Sequence, residues 1–174
     1  MADEGKKQYT SADLSKWLVE KASQAKSPDT ARRIISSNDQ RGRSTTILGR
    51  MYFFKYSPLY GSKMTKYDKF PMCIPIERYS NGFLGLNLHY LPVGGRQKLL
   101  EMLLLYKSEA LISEKTTLKV NYDTLLTNST LEKYGKPCVH RYLFNQCRSR
   151  FIEIYPAEFD KAIQLPVENW VFKQ

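Results

Sequence analysis

The sequence predicts an α+β fold: a small, strongly bent antiparallel β-sheet or partial barrel, an SH3-like barrel being one form it could take, packed by helices and preceded by a helical N-terminal arm. Three observations carry this expectation. Tyr52, Phe54 and Tyr56, and later Leu84, Leu86, Leu88 and Tyr90, alternate with other residues at the period of a strand with one apolar face. Ser80-Asn81-Gly82, just before the second run, is a tight-turn signal, because Asn-Gly accepts the positive φ of a type I′ hairpin. Beyond Pro92, Leu99, Leu100, Leu103 and Leu104 recur at helical spacing.

Residues 1–9 are polar. Thr10 or Ser11 can cap a helix with Asp13 in its first turn, and Leu14, Trp17, Leu18 and Ala25 then fall on one face. Ser27-Pro28-Asp29 starts a second short helix, with Pro at its first position and Ala31, Ile34 and Ile35 as its stripe. Those apolar faces dock either on the chain's own core or on a neighbouring subunit. From Ser36 to Thr46 the chain loses periodicity and reads as a loop or linker. The expected division is a basic helical arm and linker over 1–48 and an α+β core domain over 49–174.

Within the core domain, Met51 to Tyr56 reads as a strand ended by Pro58, and Gly61 to Lys69 as a basic polar loop. The next strand contains Pro71 and Pro75, which cannot donate to a ladder, so an edge or bulged strand is expected. The strand after the turn runs to Tyr90. Gly94-Gly95 breaks the backbone, and a helix from Arg96 to Tyr106 covers the sheet with its leucines, leaving Arg96, Lys98 and Glu101 outside. Leu118-Lys119-Val120 suggests a short strand, Tyr122 to Tyr134 a helical stretch stopped by Gly135, and Phe151 to Tyr155 a strand ended by Pro156. Between them, Val139 to Cys147 carries both patterns and is assigned to a helix. Phe159 and Ile163 face inward from a short helix after Pro156, and Trp170 and Phe172 pin the C-terminus.

Charge departs most from the average. The 174 residues carry 27 Lys and Arg against 17 Asp and Glu, a formal net charge of +10. A basic balance of this size points to an anionic partner, nucleic acid first, although a merely soluble basic protein also fits. Between Lys26 and Lys55 seven bases face two acids, a net of five positive charges. Arg41-Gly42-Arg43 suits phosphate, since the guanidinium forks bidentately and Gly lets the backbone approach; a solvated loop is the alternative. Aromatics interleave with bases from Tyr52 to Lys69 and from His140 to Phe151, although alternation assigns Tyr52, Phe54, Tyr142 and Phe151 to the core.

Catalytic signals are sparse. Three dispersed cysteines, Cys73, Cys138 and Cys147, form no CxxC pair and fit a reducing compartment. His89 stands alone and Cys138-Val139-His140 lacks partners, so both read as structural, with no metal and no cofactor expected. No nucleophile elbow, phosphate loop or dinucleotide fingerprint is present. A metal-dependent nuclease would draw on Asp68 with Lys69, Glu77 and Glu153, which are single acids far apart in sequence. The N-terminus has no signal-peptide core, and the apolar run from Leu99 to Leu105 is too short to span a bilayer.

The strings Met51-Tyr52-Phe53-Phe54-Lys55-Tyr56-Ser57-Pro58, Tyr67-Asp68-Lys69-Phe70-Pro71 and Gly82-Phe83-Leu84-Gly85-Leu86-Asn87-Leu88-His89-Tyr90-Leu91-Pro92 resemble small proteins of contractile-tailed, T-even-like bacteriophages. Lys136 to Leu143 and Arg148 to Ile154 are similar to the same group, so the resemblance covers about 49–172. It implies a DNA end protector: a head-associated, non-enzymatic virion protein that binds double-stranded DNA at genome ends and shields the packaged terminus from host exonuclease. The alternatives are a head-completion, neck or baseplate component held by protein contacts, and the nuclease. Expected partners are duplex DNA ends, other phage structural proteins and further copies of the chain, with no membrane. The expected location is the virion, and the host cytoplasm during assembly. The expected phosphate contacts are Arg32, Arg33, Arg41, Arg43, Arg50, Lys63, Lys66, Lys69, Arg141, Arg148 and Arg150.

Overall fold

The computed structural model describes residues 42–105, 117, 118, 120–164 and 170–172. The two helices expected before residue 36 lie outside these residues. The fold is α+β. Strands β1 (Gly42–Arg43), β2 (Met51–Phe53), β4 (Met72–Tyr79), β5 (Gly82–Asn87), β6 (Val139–Leu143) and β7 (Phe151–Ile154) form a six-stranded sheet in the order β1-β7-β2-β4-β5-β6. Every pairing is antiparallel, and the sheet is open, with β1 and β6 as its edges. A second, two-stranded sheet pairs β3 (Lys66–Asp68) with the C-terminal β8 (Trp170–Phe172). Helices α1 (Val93–Leu105), α2 (Tyr122–Leu126), α3 (Ser129–Gly135) and α4 (Phe159–Ala162) complete it.

Alternation along β2 splits two cores, one on each face of the sheet. Met51 and Phe53 join Met72, Ile74, Leu86 and the α1 leucines Leu99, Leu100, Leu103 and Leu104 in an aliphatic cluster. Tyr52, and Phe54 and Tyr56 beyond it, join Cys73, Phe83, Tyr142 and Phe151 in an aromatic one. The aromatic cluster measures the bend. Phe151 on β7 and Phe83 on β5 have two strands between them, a span of about 14 Å in a flat sheet. Their ring centroids are 6.1 Å apart, and those of Phe54 and Tyr142 are 5.4 Å apart. The face carrying these rings is therefore concave. An isolated antiparallel bridge, Tyr56 to Cys147, draws the chain beyond β2 towards the chain beyond β6.

Several local expectations are corrected. Gly42-Arg43 is an edge strand rather than loop, because its backbone pairs with Ile152 and Phe151. Of the edge and bulge alternatives for β4 the bulge holds: the strand lies between β2 and β5 and accommodates Pro75 at a bulge between Pro75 and Glu77. Along β4, β2 reaches only Met72 and Cys73, so Pro75 meets no demand for a donor, and its carbonyl accepts from Gly49 N at 2.8 Å. Tyr79 pairs with Gly82 around Ser80 and Asn81, and no non-glycine residue among those described has a positive φ. The turn is thus not type I′. Gly82 serves close approach instead, since a Cβ there would lie 2.0 Å from Tyr142 O. Val139–Leu143 is a strand, not a helix, because the alternation of exposed Arg141 with buried Tyr142 matches its pairing with β5.

α1 begins at Val93, taking in Gly94 and Gly95, and Arg96 is inside it and buried. The Arg96 Nε donates to Leu88 O and Leu91 O, and Nη1 donates to Ile163 O at 2.8 Å. Residues 88–90 leave the strand for a 3-10 turn, because the Asn87 side chain accepts from His89 N. Leu118 forms no strand. Its N–H donates to Gly49 O at 2.7 Å, in the loop where Gly49 takes a φ of 78°. Tyr122 to Gly135 divides into α2 and α3, capped by Asn121 and Asn128.

Candidate nucleic-acid interface

Past β2 the chain runs between two other segments and is tied to both. Tyr56 N donates to Lys69 O at 2.9 Å, Ser57 N to Gln146 O at 3.1 Å, and Arg148 N to Lys55 O at 2.7 Å. Lys55 N donates to Ser149 Oγ at 2.8 Å. Lys55, Lys69 and Arg148, separated by up to 93 residues in sequence, thereby share one corner of the sheet. Arg150 adjoins them, and Arg43 follows because its partner in the β1–β7 ladder is Phe151. All five side chains are exposed. Ser149 Oγ, which donates to Arg150 O at 2.9 Å, braces the turn between the two late arginines.

The acids nearest this corner are turned inward. Glu153, 2 % exposed, sits opposite Tyr52 in the β7–β2 ladder. Arg50 Nη1 donates to it at 2.9 Å and Arg43 Nε at 3.3 Å. The Glu153 hydrogen bond raises the Arg43 guanidinium above its ordinary value. Arg43 is engaged through Nε while its side chain stays 49 % exposed, whereas that of Arg50 is only 18 % exposed. Arg50 therefore belongs mainly to the buried ion pair, and Arg43 to the surface.

Asp68 is the second inward acid, and it organises a buried polar cluster. His89 Nδ1 lies 2.6 Å from Asp68 Oδ2, Asn87 Nδ2 donates to the same oxygen at 3.0 Å, and Phe70 N donates to Oδ1. Asn87 also donates to Tyr142 Oη at 3.1 Å, so β3 is tied to β5 and β6 through side chains. Satisfied acceptors of this kind hold strands in register. The nuclease candidates thus do not converge: Glu153 is clamped by arginines, Asp68 is buried with His89, and Glu77 is exposed on β4. Among the described residues no group of three or more His, Cys, Asp or Glu is placed to hold a metal ion, and the three cysteines are free.

The remaining expected contacts divide. Lys63 and Lys66 lie on the segment that leaves this corner after Ser57 and returns at Lys69. Arg141 stands apart, midway along the edge strand β6 and paired with Leu84. Its guanidinium lies 4.4 Å from the Tyr79 ring centroid, and Nη2 donates to Asn81 Oδ1 at 2.8 Å. Arg32, Arg33 and Arg41 lie outside the described residues. Lys55 was absent from the expected set. Its place between the inward-facing Phe54 and Tyr56 marks it as outward-facing, but only the Arg148 and Ser149 hydrogen bonds bring it to the arginines.

Among the described residues no helix is long and apolar enough to cross a membrane. No curated protein and no solved structure matches the chain. The model of a phage family, the phage T4 terminal DNA protecting protein, matches residues 16–174, reaching well into the N-terminal segment that the resemblance over 49–172 left out. With nearly its whole length matched, the chain belongs to the phage T4 terminal DNA protecting protein family.

Proposed function

We propose that this protein is a non-enzymatic virion component that binds double-stranded DNA at genome ends and shields the packaged terminus from host exonuclease. The basic corner carries the reading. Arg43, Lys55, Lys69, Arg148 and Arg150 are exposed together, while the nearby carboxylates of Asp68 and Glu153 are buried and engaged. A surface of this sign faces phosphates, and the family's name supplies the DNA terminus as the anion. No base-reading element is needed for such contacts, so binding is largely indifferent to sequence. The virion, and the host cytoplasm during assembly, is the proposed location, with other phage structural proteins and further copies of the chain as neighbours.

Phosphate binding releases counterions, so the logarithm of affinity falls with the logarithm of salt by roughly 0.9 per phosphate neutralised. The test measures binding of linear duplex across a salt series, together with its digestion by a double-strand exonuclease. Wild-type protein is expected to slow digestion from the ends and to bind less as salt rises. R148A/R150A is expected to flatten the salt slope by about 2 and to shorten protection. Affinity that stays flat from low to high salt, or linear duplex digested as fast with the protein as without it, overturns the proposal.

A further inference from the structure

Phosphate contacts cannot by themselves tell the end of a duplex from its middle, because the backbone charge is much the same in both. Besides its free 5′ and 3′ termini, the end differs in that its last base pair presents an uncovered, flat, apolar face. A protein selective for termini gains from a flat side chain displayed among cations. The segment between Ser57 and Lys69 carries one. Tyr60 is 62 % exposed, with Leu59 at 61 % and Met64 at 38 % beside it in sequence. Three exposed lysines follow, Lys63, Lys66 and Lys69. Lys63 Nζ lies 5.3 Å from the Tyr60 ring centroid and Lys66 Nζ 5.9 Å from that of Tyr90.

This tip is braced. Gly61 N donates to Pro58 O, Lys63 N to Tyr60 O and Met64 N to Gly61 O, closing a 3-10 turn over Gly61–Lys63. Gly61 packs so closely on β3 that a Cβ there would lie 3.0 Å from the Tyr67 ring. The segment is rooted between Tyr56 and Lys69, whose backbones are hydrogen bonded, beside Lys55 and Arg148 of the basic corner. An exposed aromatic held by a short turn loses little freedom on contact.

We propose that Tyr60 stacks on the terminal base pair of duplex DNA, with Lys63, Lys66 and Lys69 engaging the last phosphates, so that this tip supplies end selectivity and the basic corner supplies affinity. The inference rests on the DNA-end reading above. One ring face of Tyr60 carries the Lys63 ammonium, and the base pair takes the other; Leu59 and Met64 widen the apolar contact. Base–aromatic stacking of this kind alters affinity by roughly 5- to 150-fold on loss of the ring.

The experiment uses one duplex in two forms, open at both ends and closed at both ends by hairpin loops, and compares the full chain with Tyr60→Ala and Tyr60→Phe at fixed salt. Wild type and Tyr60→Phe are expected to prefer open ends. Tyr60→Ala is expected to lose that preference while binding closed duplex as wild type does, with the same salt slope. If Tyr60→Ala keeps the preference, or weakens both forms equally, the stacking role is overturned while the DNA-end reading stands. A Tyr60→Phe variant that behaves like Tyr60→Ala also overturns it, because the hydroxyl would then be the determinant. If Tyr60→Ala binds both forms as wild type does but no longer stays with virions, the tip belongs to a protein neighbour. Wild type that neither binds duplex nor protects it overturns both readings.

Discussion

The two faces of the sheet are buried by different means. The face carrying Met51, Phe53, Met72, Ile74 and Leu86 is covered by other elements: α1 lays four buried leucines on it, and Phe159 and Ile163 from the late helical segment join them. The face carrying Tyr52, Phe54, Phe83, Tyr142 and Phe151 closes on itself, and its rings meet across strands that a flat sheet would hold far apart. Bulk replaces a covering layer. Rings span the concavity that aliphatic side chains could not fill, and edge-to-face geometry adds to their burial, as between Phe54 and Phe151 at 5.1 Å. The basic corner lies on the rim of this aromatic face, so its geometry is inherited from the bend.

Truncation on each face gives the largest test. Phe54→Ala is expected to cost about 3–5 kcal/mol and Leu100→Ala about 2–5 kcal/mol, read by urea denaturation. The two differ in where the loss appears. Phe54→Ala removes contacts to four other rings and so relaxes the bend. It is expected to weaken DNA binding at the corner even where the protein remains folded. Leu100→Ala is expected to lower stability and leave binding of the folded fraction intact. Equal losses of binding in both would erase the distinction between the faces.

A smaller effect is expected at the rim. Glu153→Gln keeps the size of the side chain but removes the charge between Arg50 and Arg43. It is expected to cost about 2 kcal/mol in the same denaturation assay, chiefly from leaving the part-buried Arg50 without its carboxylate. A loss below about 0.5 kcal/mol would mean that the pair is screened as an ordinary surface contact.

The smallest effect is a pH dependence at the outer strand. Burial holds the His140 imidazole below its ordinary value, although its Nε2–H donates to Pro137 O at 3.1 Å. The unfolded chain then binds the proton more readily than the folded one, so stability falls as pH drops through about 6.5 and is recovered above it. His140→Gln is expected to flatten that part of the profile in thermal melts taken from about pH 5 to pH 8. An unchanged profile would assign the acid sensitivity to other groups.

Most of the scaffold was legible because period and side chain agreed. Tyr52, Phe54 and Tyr56 alternate with Met51 and Phe53 as the two cores do, and the α1 leucines fall where the helix meets the sheet. The sequence misled where a local rule served a tertiary purpose. Gly82 reads as a turn residue, yet its missing Cβ is needed by the backbone of β6. Pro75 reads as a sign of an edge or a bulge, and only the pairing shows that it is the bulge, with the Gly49 loop meeting its carbonyl. Arg96 reads as a solvated helix residue, yet three carbonyls hold it inside. The candidate interface was partly visible. Charge picked out Arg43, Lys69, Arg148 and Arg150 and passed over Lys55, but which bases share a corner depends on pairings such as Arg43 with Phe151, and no spacing along the chain reports those.

The strand order also governs when this protein can exist. β7 lies between β1 and β2, so residues 42–43 have no strand to pair with, and residues 51–53 pair on one side only, until residues 151–154 have left the ribosome. Until then Tyr52 and the rings that follow it have no Phe151 to meet, and β2 has one open edge. Contacts this distant slow folding and leave sticky surface waiting. A chain cut short before residue 150 should therefore yield no smaller working fragment, and synthesis of this protein should be close to all or nothing.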